Sequence, residues 1–254
     1  MSRLVDIMIA AARAAGAEIE RIYGAGCATE WKPDGSPVTQ ADHAAEAIIL
    51  DQLSRAYRDV PVVAEEEASA GRVPNLAARW FLVDPLDGTR GFVERNGEFT
   101  VNIALIELGL PIAGVIYAPD SHLLYAGARG EGAWCSRDGG QLEPVQPRDP
   151  PAAGLTAIAS RADPEATRAR IAHLPMAELL PSSSSLKFCL LADGSADLYP
   201  RFGRTMEWDT GAGQAILEAA GGRVLALDAD GRETGPLRYG KPGFENPHFL
   251  AWAR

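Results

Sequence analysis

Cysteine is scarce in this chain: three residues, Cys27, Cys135 and Cys189, widely spaced and without a C-x-x-C pair. An odd, scattered set argues against a disulfide framework and reads as reduced thiols in a cytoplasmic protein. Positive charge is also in deficit. Twenty-four Lys and Arg stand against 34 Asp and Glu, a net charge of −10. That balance excludes a general nucleic-acid binder, whose surface must neutralise a phosphate backbone. It does not exclude small phosphorylated ligands, because metal ions can supply the missing positive charge. No hydrophobic run approaches the ~20 residues of a spanning helix, so stable membrane insertion is not expected. The alanine-rich start, Leu4 to Arg21, is broken by Asp6, Arg13, Glu18 and Glu20, and reads as an amphipathic helix instead of a signal peptide. The four histidines, His43, His122, His173 and His248, form no metal or triad pattern. There is no internal repeat and no low-complexity tract.

What is present is an ordinary globular composition, 46% hydrophobic with 26 Gly and 18 Pro over 254 residues, enough for one large domain or two small ones. Helices are predicted over 3–23, ended by Gly24-Ala25-Gly26, and over 41–56 with Thr39 as N-cap. A polar loop, Lys32 to Pro37, separates them. Strands are predicted over 60–64, 80–84, 99–107, 112–117, 123–128 and 132–135, with a small-residue loop at 68–78 and a hairpin turn at 108–111. The proline-rich stretch 144–151 is the best boundary, dividing 1–150 (α+β) from 151–254 (α/β). Beyond it the pattern alternates: strand 155–159, helix 164–173, strand 177–180, helix 185–192, strand 196–199, helix 209–220, strand 223–227.

Residues 84–89 read Asp84-Pro85-Leu86-Asp87-Gly88-Thr89. Pro85 is read as ending the preceding strand. The turn then brings two carboxylates towards one point, and Gly88 lets the backbone approach a ligand. Two further acidic groups follow β-like segments: Glu65-Glu66-Glu67, and Asp209 ahead of Thr210-Gly211-Ala212-Gly213. Carboxylates and carbonyls are the ligands Mg²⁺ prefers, and such a cluster at strand ends can hold a metal pair for phosphoryl transfer. Each element alone has a plainer reading: a solvated Glu triplet, an N-cap at Asp209, a common Asp-Pro turn. The amides of Gly88 and Thr89 cradle a phosphate if a helical turn begins there.

Taken together these segments resemble the lithium-sensitive, Mg²⁺-dependent phosphatase superfamily of inositol monophosphatases and fructose-1,6-bisphosphatases. Its signatures are matched by residues 84–89, by Trp208-Asp209-Thr210-Gly211-Ala212-Gly213, and by Glu65-Glu66 upstream. Three more segments, 95–106, Ser184-Ser185-Leu186-Lys187-Phe188-Cys189-Leu190 and Leu198-Tyr199-Pro200-Arg201, are similar to the CysQ-like branch, the 3'(2'),5'-bisphosphate nucleotidases.

The resemblance implies a layered αβαβα sandwich and a metal-dependent phosphoric monoester hydrolase. It implies hydrolysis of 3'-phosphoadenosine 5'-phosphate (PAP) to AMP, and of its sulfated precursor PAPS to APS, in sulfur assimilation. An inositol or sugar-phosphate phosphatase using the same site is the alternative, and a catalytically silent phospholigand-binding protein is the rival of another class. Two or three Mg²⁺ ions are implied, held by Glu65, Asp84, the Leu86 carbonyl, Asp87 and Asp209. Thr89 would position the attacking water with Asp42, and Glu65 would assist. Leu86, Asp87, Gly88, Thr89 and Asp209 would face the scissile phosphate. Lys187 and Arg201 either pair with a second phosphate or are surface charges. Ser184 and Ser185 either donate to the ligand or cap the following helix. A monomer or homodimer is expected, cytoplasmic, with peripheral contact to the inner face of the membrane left open. Two departures stand out. Gly91 replaces an acidic residue usual in the branch, and Arg204 adds a cation near the expected nucleotide site. Finally, Gly235 to Pro242 nearly spells a phosphate-binding P-loop, but proline follows Lys241 where a hydroxyl residue is required.

Overall fold

The computed structural model describes residues 1–32, 35–161 and 164–254. Helix α1 (Arg3–Ala25) runs slightly past its predicted end, and Gly26 terminates it with φ 76°. A short hairpin, β1 (Thr29–Trp31) and β2 (Pro37–Thr39), leads into α2 (Gln40–Ala56). Pro33 and Asp34 of the expected polar loop lie outside the described residues. Thr39 caps α2 as predicted, in a reciprocal capping box with Asp42. Strand β3 (Val62–Ala64) then gives way at once to α3 (Glu65–Ser69), so the Glu triplet opens a helix and is not a loop.

Strand β4 (Arg79–Asp87) corrects the reading of Pro85. The strand does not end at Asp84. Its pairing with β5 (Thr100–Glu107) breaks after Asp84 opposite Asn102 and resumes at Asp87 opposite Thr100. Pro85 and Leu86 occupy this bulge, where the amide that proline lacks is not required. Helix α4 (Thr89–Val93) sits between β4 and β5. The sheet continues as an antiparallel meander through β6 (Leu110–Ala118), β7 (Leu123–Ala128), β8 (Gly132–Arg137) and β9 (Glu143–Val145). Of its seven strands only β3 and β4 pair in parallel.

The second sheet has six strands. β10 (Leu155–Ser160) pairs in parallel with β11 (Met176–Ser182) and with β12 (Leu198–Arg201). β13 (Arg223–Leu227), β14 (Glu233–Pro236) and β15 (Phe249–Trp252) complete it, all antiparallel. The last strand, which the sequence pattern did not mark, lies between β12 and β13. Helices α5 (Pro164–Arg170), α6 (Leu186–Ala192) and α7 (Gly211–Ala220) alternate with these strands.

Period-two alternation assigns the layers. In β4 and β5, Phe81, Val83, Val101, Ile103 and Leu105 face α1 and α2, while Trp80, Leu82, Ala104 and Ile106 face the opposite way, into a core shared with α6, α7 and the second sheet. A small third cluster, with Ala157, Ile171 and Leu198, lies beside α5. The order is helices, seven-stranded sheet, helices, six-stranded sheet, helix: the αβαβα sandwich expected. Close approach of the middle helices requires glycine. A Cβ on Gly213 would stand 2.2 Å from the Phe188 ring. Among the described residues no helix is long and apolar enough to cross a membrane.

Candidate active site

The middle layer opens at the C-terminal end of β4, and here the sequence-distant carboxylates meet. Asp84, Asp87 and Asp209 each offer an oxygen within 4.8 Å of the others. Each also has an oxygen fixed by a protein donor. The Leu86 amide donates to Asp84 Oδ1 at 3.0 Å. The Ser185 hydroxyl lies 2.8 Å from Asp87 Oδ2, and the Met206 amide donates to Asp209 Oδ2 at 2.8 Å. Asp209 therefore reaches back to Met206 and does not cap α7, which leaves its N-cap reading without support.

Burial dominates the electrostatics. It pushes the Asp84 carboxyl far above the usual carboxylate range, with Glu65, Asp87 and Asp209 adding like-charge repulsion. Burial, then Asp87 and Glu65, lift Asp209 to about 8. Burial thus favours the protonated forms of Asp84 and Asp209, and a bound cation would favour their charged forms.

Glu65 opens α3 at the edge of this cluster. Its carboxyl is also raised, chiefly by burial and against the opposing pull of Lys32. Lys32 Nζ donates to Glu65 Oε1 and Glu66 Oε1, each at 2.7 Å. Burial alone would lower the Lys32 ammonium, but the two carboxylates outweigh it and the group stays charged. The α3 start is held from beneath by Glu46, one turn beyond Asp42 on α2. Its carboxylate accepts the amides of Glu66 and Glu67 at 2.8 and 3.1 Å. Burial lifts the Glu46 carboxyl to about 7. Neither Lys32 nor Glu46 was singled out in the sequence. A capping partner 20 residues upstream of the helix it caps has no local signature.

Thr89 and Asp42 come together from different elements. Asp42 is buried; its Oδ2 accepts the amide and hydroxyl of Thr39 at 2.7 and 2.8 Å. Its other oxygen, Oδ1, lies 3.0 Å from Thr89 Oγ1, which is also 3.0 Å from the Leu86 carbonyl. Gly88 makes this turn feasible. It caps α4 at φ 90°, and a Cβ there would meet the Glu98 carbonyl at 2.5 Å.

Next to the trio lies a cavity of about 510 Å³ whose wall includes Asp87, Gly88, Ser184, Ser185, Lys187, Arg201 and Asp209. The surface-charge reading of Lys187 does not hold. The residue is buried, its ammonium donates to the Ser184 carbonyl, and it stands 5.3 Å from the centre of the Tyr199 ring. Burial lowers it to about 8, against the favourable pull of Asp87 and Asp209. Arg201 donates from Nη2 to the Arg204 carbonyl at 2.6 Å, and its buried Nε has no partner among the described residues. Ser185 lines the cavity, but its hydroxyl is surrounded by protein groups: Asn102 Nδ2 at 2.8 Å, Asp87 Oδ2 at 2.8 Å and the Asp209 carbonyl at 2.7 Å. It does not cap α6.

The two departures resolve in space. Gly91 lies on the cavity wall where a Cβ would stand 2.6 Å from Asn96 Oδ1 and 3.0 Å from the Glu98 carbonyl, so Asn96 and Glu98 occupy its side-chain space. Arg204 lines a different cavity, of about 730 Å³, with Lys32, Glu65, Trp208 and Phe244 on the other side of Asp209. It adds no cation to the first. The near P-loop also has an occupant: the Gly240 and Lys241 amides donate to the Glu207 carboxylate at 2.7 and 2.9 Å.

A layered sandwich with an acidic trio at the end of β4 and a threonine-aspartate pair beside it defines a phosphatase fold of one kind. The chain belongs to the inositol monophosphatase family, whose model matches residues 1–247. Within that family it is similar to the 3'(2'),5'-bisphosphate nucleotidase CysQ of Salmonella typhimurium, 44% identical over 92% of this chain and 95% of that protein. The protein of the same name from Escherichia coli K12 is 43% identical over 97% and 98%. Among solved structures, CysQ from Bacteroides thetaiotaomicron superposes with a TM-score of 0.80 at 37% identity, covering 98% of this chain and 97% of that one. An inositol monophosphatase from Anabaena superposes at 0.74 with 28% identity, over 98% and 89%.

Proposed function

We propose that this protein is a cytoplasmic, Mg²⁺-dependent phosphatase that hydrolyses the 3'-phosphate of PAP to give AMP, with PAPS as a further substrate, in sulfur assimilation. The observation that carries the substrate class is the pairing of Lys187 and Arg201 on one cavity beside the acidic trio. The orphaned, buried Nε of Arg201 calls for an acceptor, and a second phosphate supplies one. The names of the relatives described above support the same reading.

The donor set fits a hard divalent cation, since it is made of carboxylates with one oxygen each already oriented by the protein. Glu65, Asp84, Asp87, Asp209 and the Leu86 carbonyl would hold two or three ions, which when bound supply positive charge to the phosphoryl group and its nucleophile. The chain's own residues do the rest. The amides of Gly88 and Thr89, at the start of α4, face the scissile phosphate. The Thr89 hydroxyl donates to Asp42 Oδ1 and so turns its lone pairs outward to a water. As that water attacks in line, its proton passes to Thr89 Oγ1 and the Thr89 proton moves to Asp42. Burial raises the Asp42 carboxyl, which favours holding that proton. Residues 1–150 would carry most of the metal ligands, and 151–254 would carry Asp209 and the substrate-selecting cations.

The test is phosphate release from PAP beside inositol 1-phosphate and fructose 1,6-bisphosphate, with Mg²⁺ or chelator and with or without Li⁺. The expected result is Mg²⁺-dependent, Li⁺-inhibited preference for PAP. Preference for either other substrate would move the role to inositol or sugar phosphates. No release from any of them would leave only phospholigand binding.

A further inference from the structure

On the face of β5 that meets α6 and α7, Ala104 and Ile106 are apolar, but Asn102 is an amide, buried opposite Asp84 at the edge of the bulge. Its Nδ2 donates to Ser185 Oγ at 2.8 Å, while its Oδ1 has no partner among the described residues. A buried acceptor without a donor costs free energy that an apolar side chain of similar shape avoids. An amide kept for stability alone would have both ends satisfied. The unsatisfied oxygen therefore points to what the other end does at Ser185.

The Ser185 hydroxyl has one proton to give and lies among three groups. Asn102 Nδ2 can only donate, so it takes a lone pair of the oxygen. That leaves the proton to the other two neighbours, Asp87 Oδ2 at 2.8 Å and the Asp209 carbonyl at 2.7 Å. Of these the carboxylate is the stronger acceptor. Both belong to the acidic trio. Ser185 is itself buried, and its hydroxyl has no proton left for a ligand.

Resting on the metal-dependent phosphatase reading, we propose that Asn102 and Ser185 are positioning residues for the cation. Asn102 aims the Ser185 hydroxyl, and the hydroxyl holds the Asp87 carboxylate in place for Mg²⁺. Ser185 thus serves the metal ligand and not the nucleotide, although it stands on the cavity wall.

The experiment titrates Mg²⁺ by calorimetry, without nucleotide, into the parent protein, N102L, S185A, S185T and the double variant N102L/S185A, with thermal melts in chelator alongside. N102L and S185A are each expected to weaken Mg²⁺ binding about tenfold or more, as for a lost outer-shell partner, and S185T to recover most of it. The double variant is expected to bind no more weakly than S185A, because Asn102 acts only through the hydroxyl. N102L is expected to melt in chelator no lower than the parent, whereas a purely structural amide would give a lower melt. In turnover, the Mg²⁺ needed for half-maximal phosphate release from PAP should rise by the same factor, with KM for PAP at saturating Mg²⁺ unchanged. Parent-like Mg²⁺ affinity in S185A, effects that add in the double variant, or a raised KM for PAP at saturating Mg²⁺ would overturn the proposal and leave the phosphatase reading standing. Should N102L fail to fold, the contrast between S185A and S185T decides. Parent protein that neither binds Mg²⁺ nor releases phosphate with it overturns both.

Discussion

Replacing Asp209 with Asn should make the metal-free protein more stable while removing its activity. Three carboxylates share a point within 4.8 Å. Two unit charges 4 Å apart at an effective dielectric constant near 20 repel by about 4 kcal/mol. The protein avoids part of this by keeping protons: Asp209 is lifted to about 8 by burial and by Asp87 and Glu65. An unfolded aspartate titrates near ~3.9. The folded form thus holds the proton more tightly, so stability falls as pH rises from about 4 to about 8 and is lowest above that window. Asparagine is neutral throughout, and its side-chain carbonyl can still accept the Met206 amide. In chelator at about pH 8, Asp209→Asn should gain on the order of 3 kcal/mol, which in a chain of this size raises the melting temperature by roughly 6–12 °C. At about pH 5, where the parent Asp209 is protonated, the gap should close. Adding Mg²⁺ should raise the parent's melting temperature and lift the variant's far less, and PAP turnover should drop by about 10²-fold or more. Thermal melts at three pH values, with Mg²⁺ and with chelator, read all of this. A variant that melts at or below the parent at about pH 8 in chelator would refute the account of a strained acidic cluster.

Thr89→Val removes the hydroxyl that faces Asp42 and is expected to lower kcat by about 10²-fold with little change in melting temperature, Thr89→Ser restoring most of it; wild-type turnover in the valine variant would remove Thr89 from the proton path. Gly213→Ala would place a Cβ 2.2 Å from the Phe188 ring, and is expected to cost about 1–3 kcal/mol, read as a lower melting temperature; an unchanged melt would mean that α6 and α7 can move apart freely.

Much of the fold was legible because local rules act over short stretches. Thr39 reads as the N-cap of α2, and the structure places it there, adding a capping box with Asp42. Residues 99–107 read as a strand, and β5 is one; that it is buried on both faces is a finding of the structure. The errors fall where a distant partner overrides local preference. Pro85 reads as a strand end, yet β5 pairs on both sides of it and a bulge absorbs the missing donor. Glu65-Glu66-Glu67 reads as a polar loop, yet Glu46 captures the Glu66 and Glu67 amides and sets a helix there. β15 is four residues at the end of the chain, and only its neighbours β12 and β13 identify it as a central strand.

The candidate site divides along the same line. By itself the sequence determined which residue types are available: the spacing of Asp84 and Asp87, the glycine at 88 and the threonine at 89. These lie within one turn of chain, where covalent geometry limits the outcome. Only the tertiary structure decided that Asp209 joins them, that Lys187 is buried and not a surface charge, that the Ser185 hydroxyl lies against the Asp87 carboxylate, and that Arg204 faces another cavity. Those facts depend on two sheets closing over α6 and α7. Distances between residues 98 to 125 positions apart are set by the packing of whole layers, which no local stretch of sequence encodes.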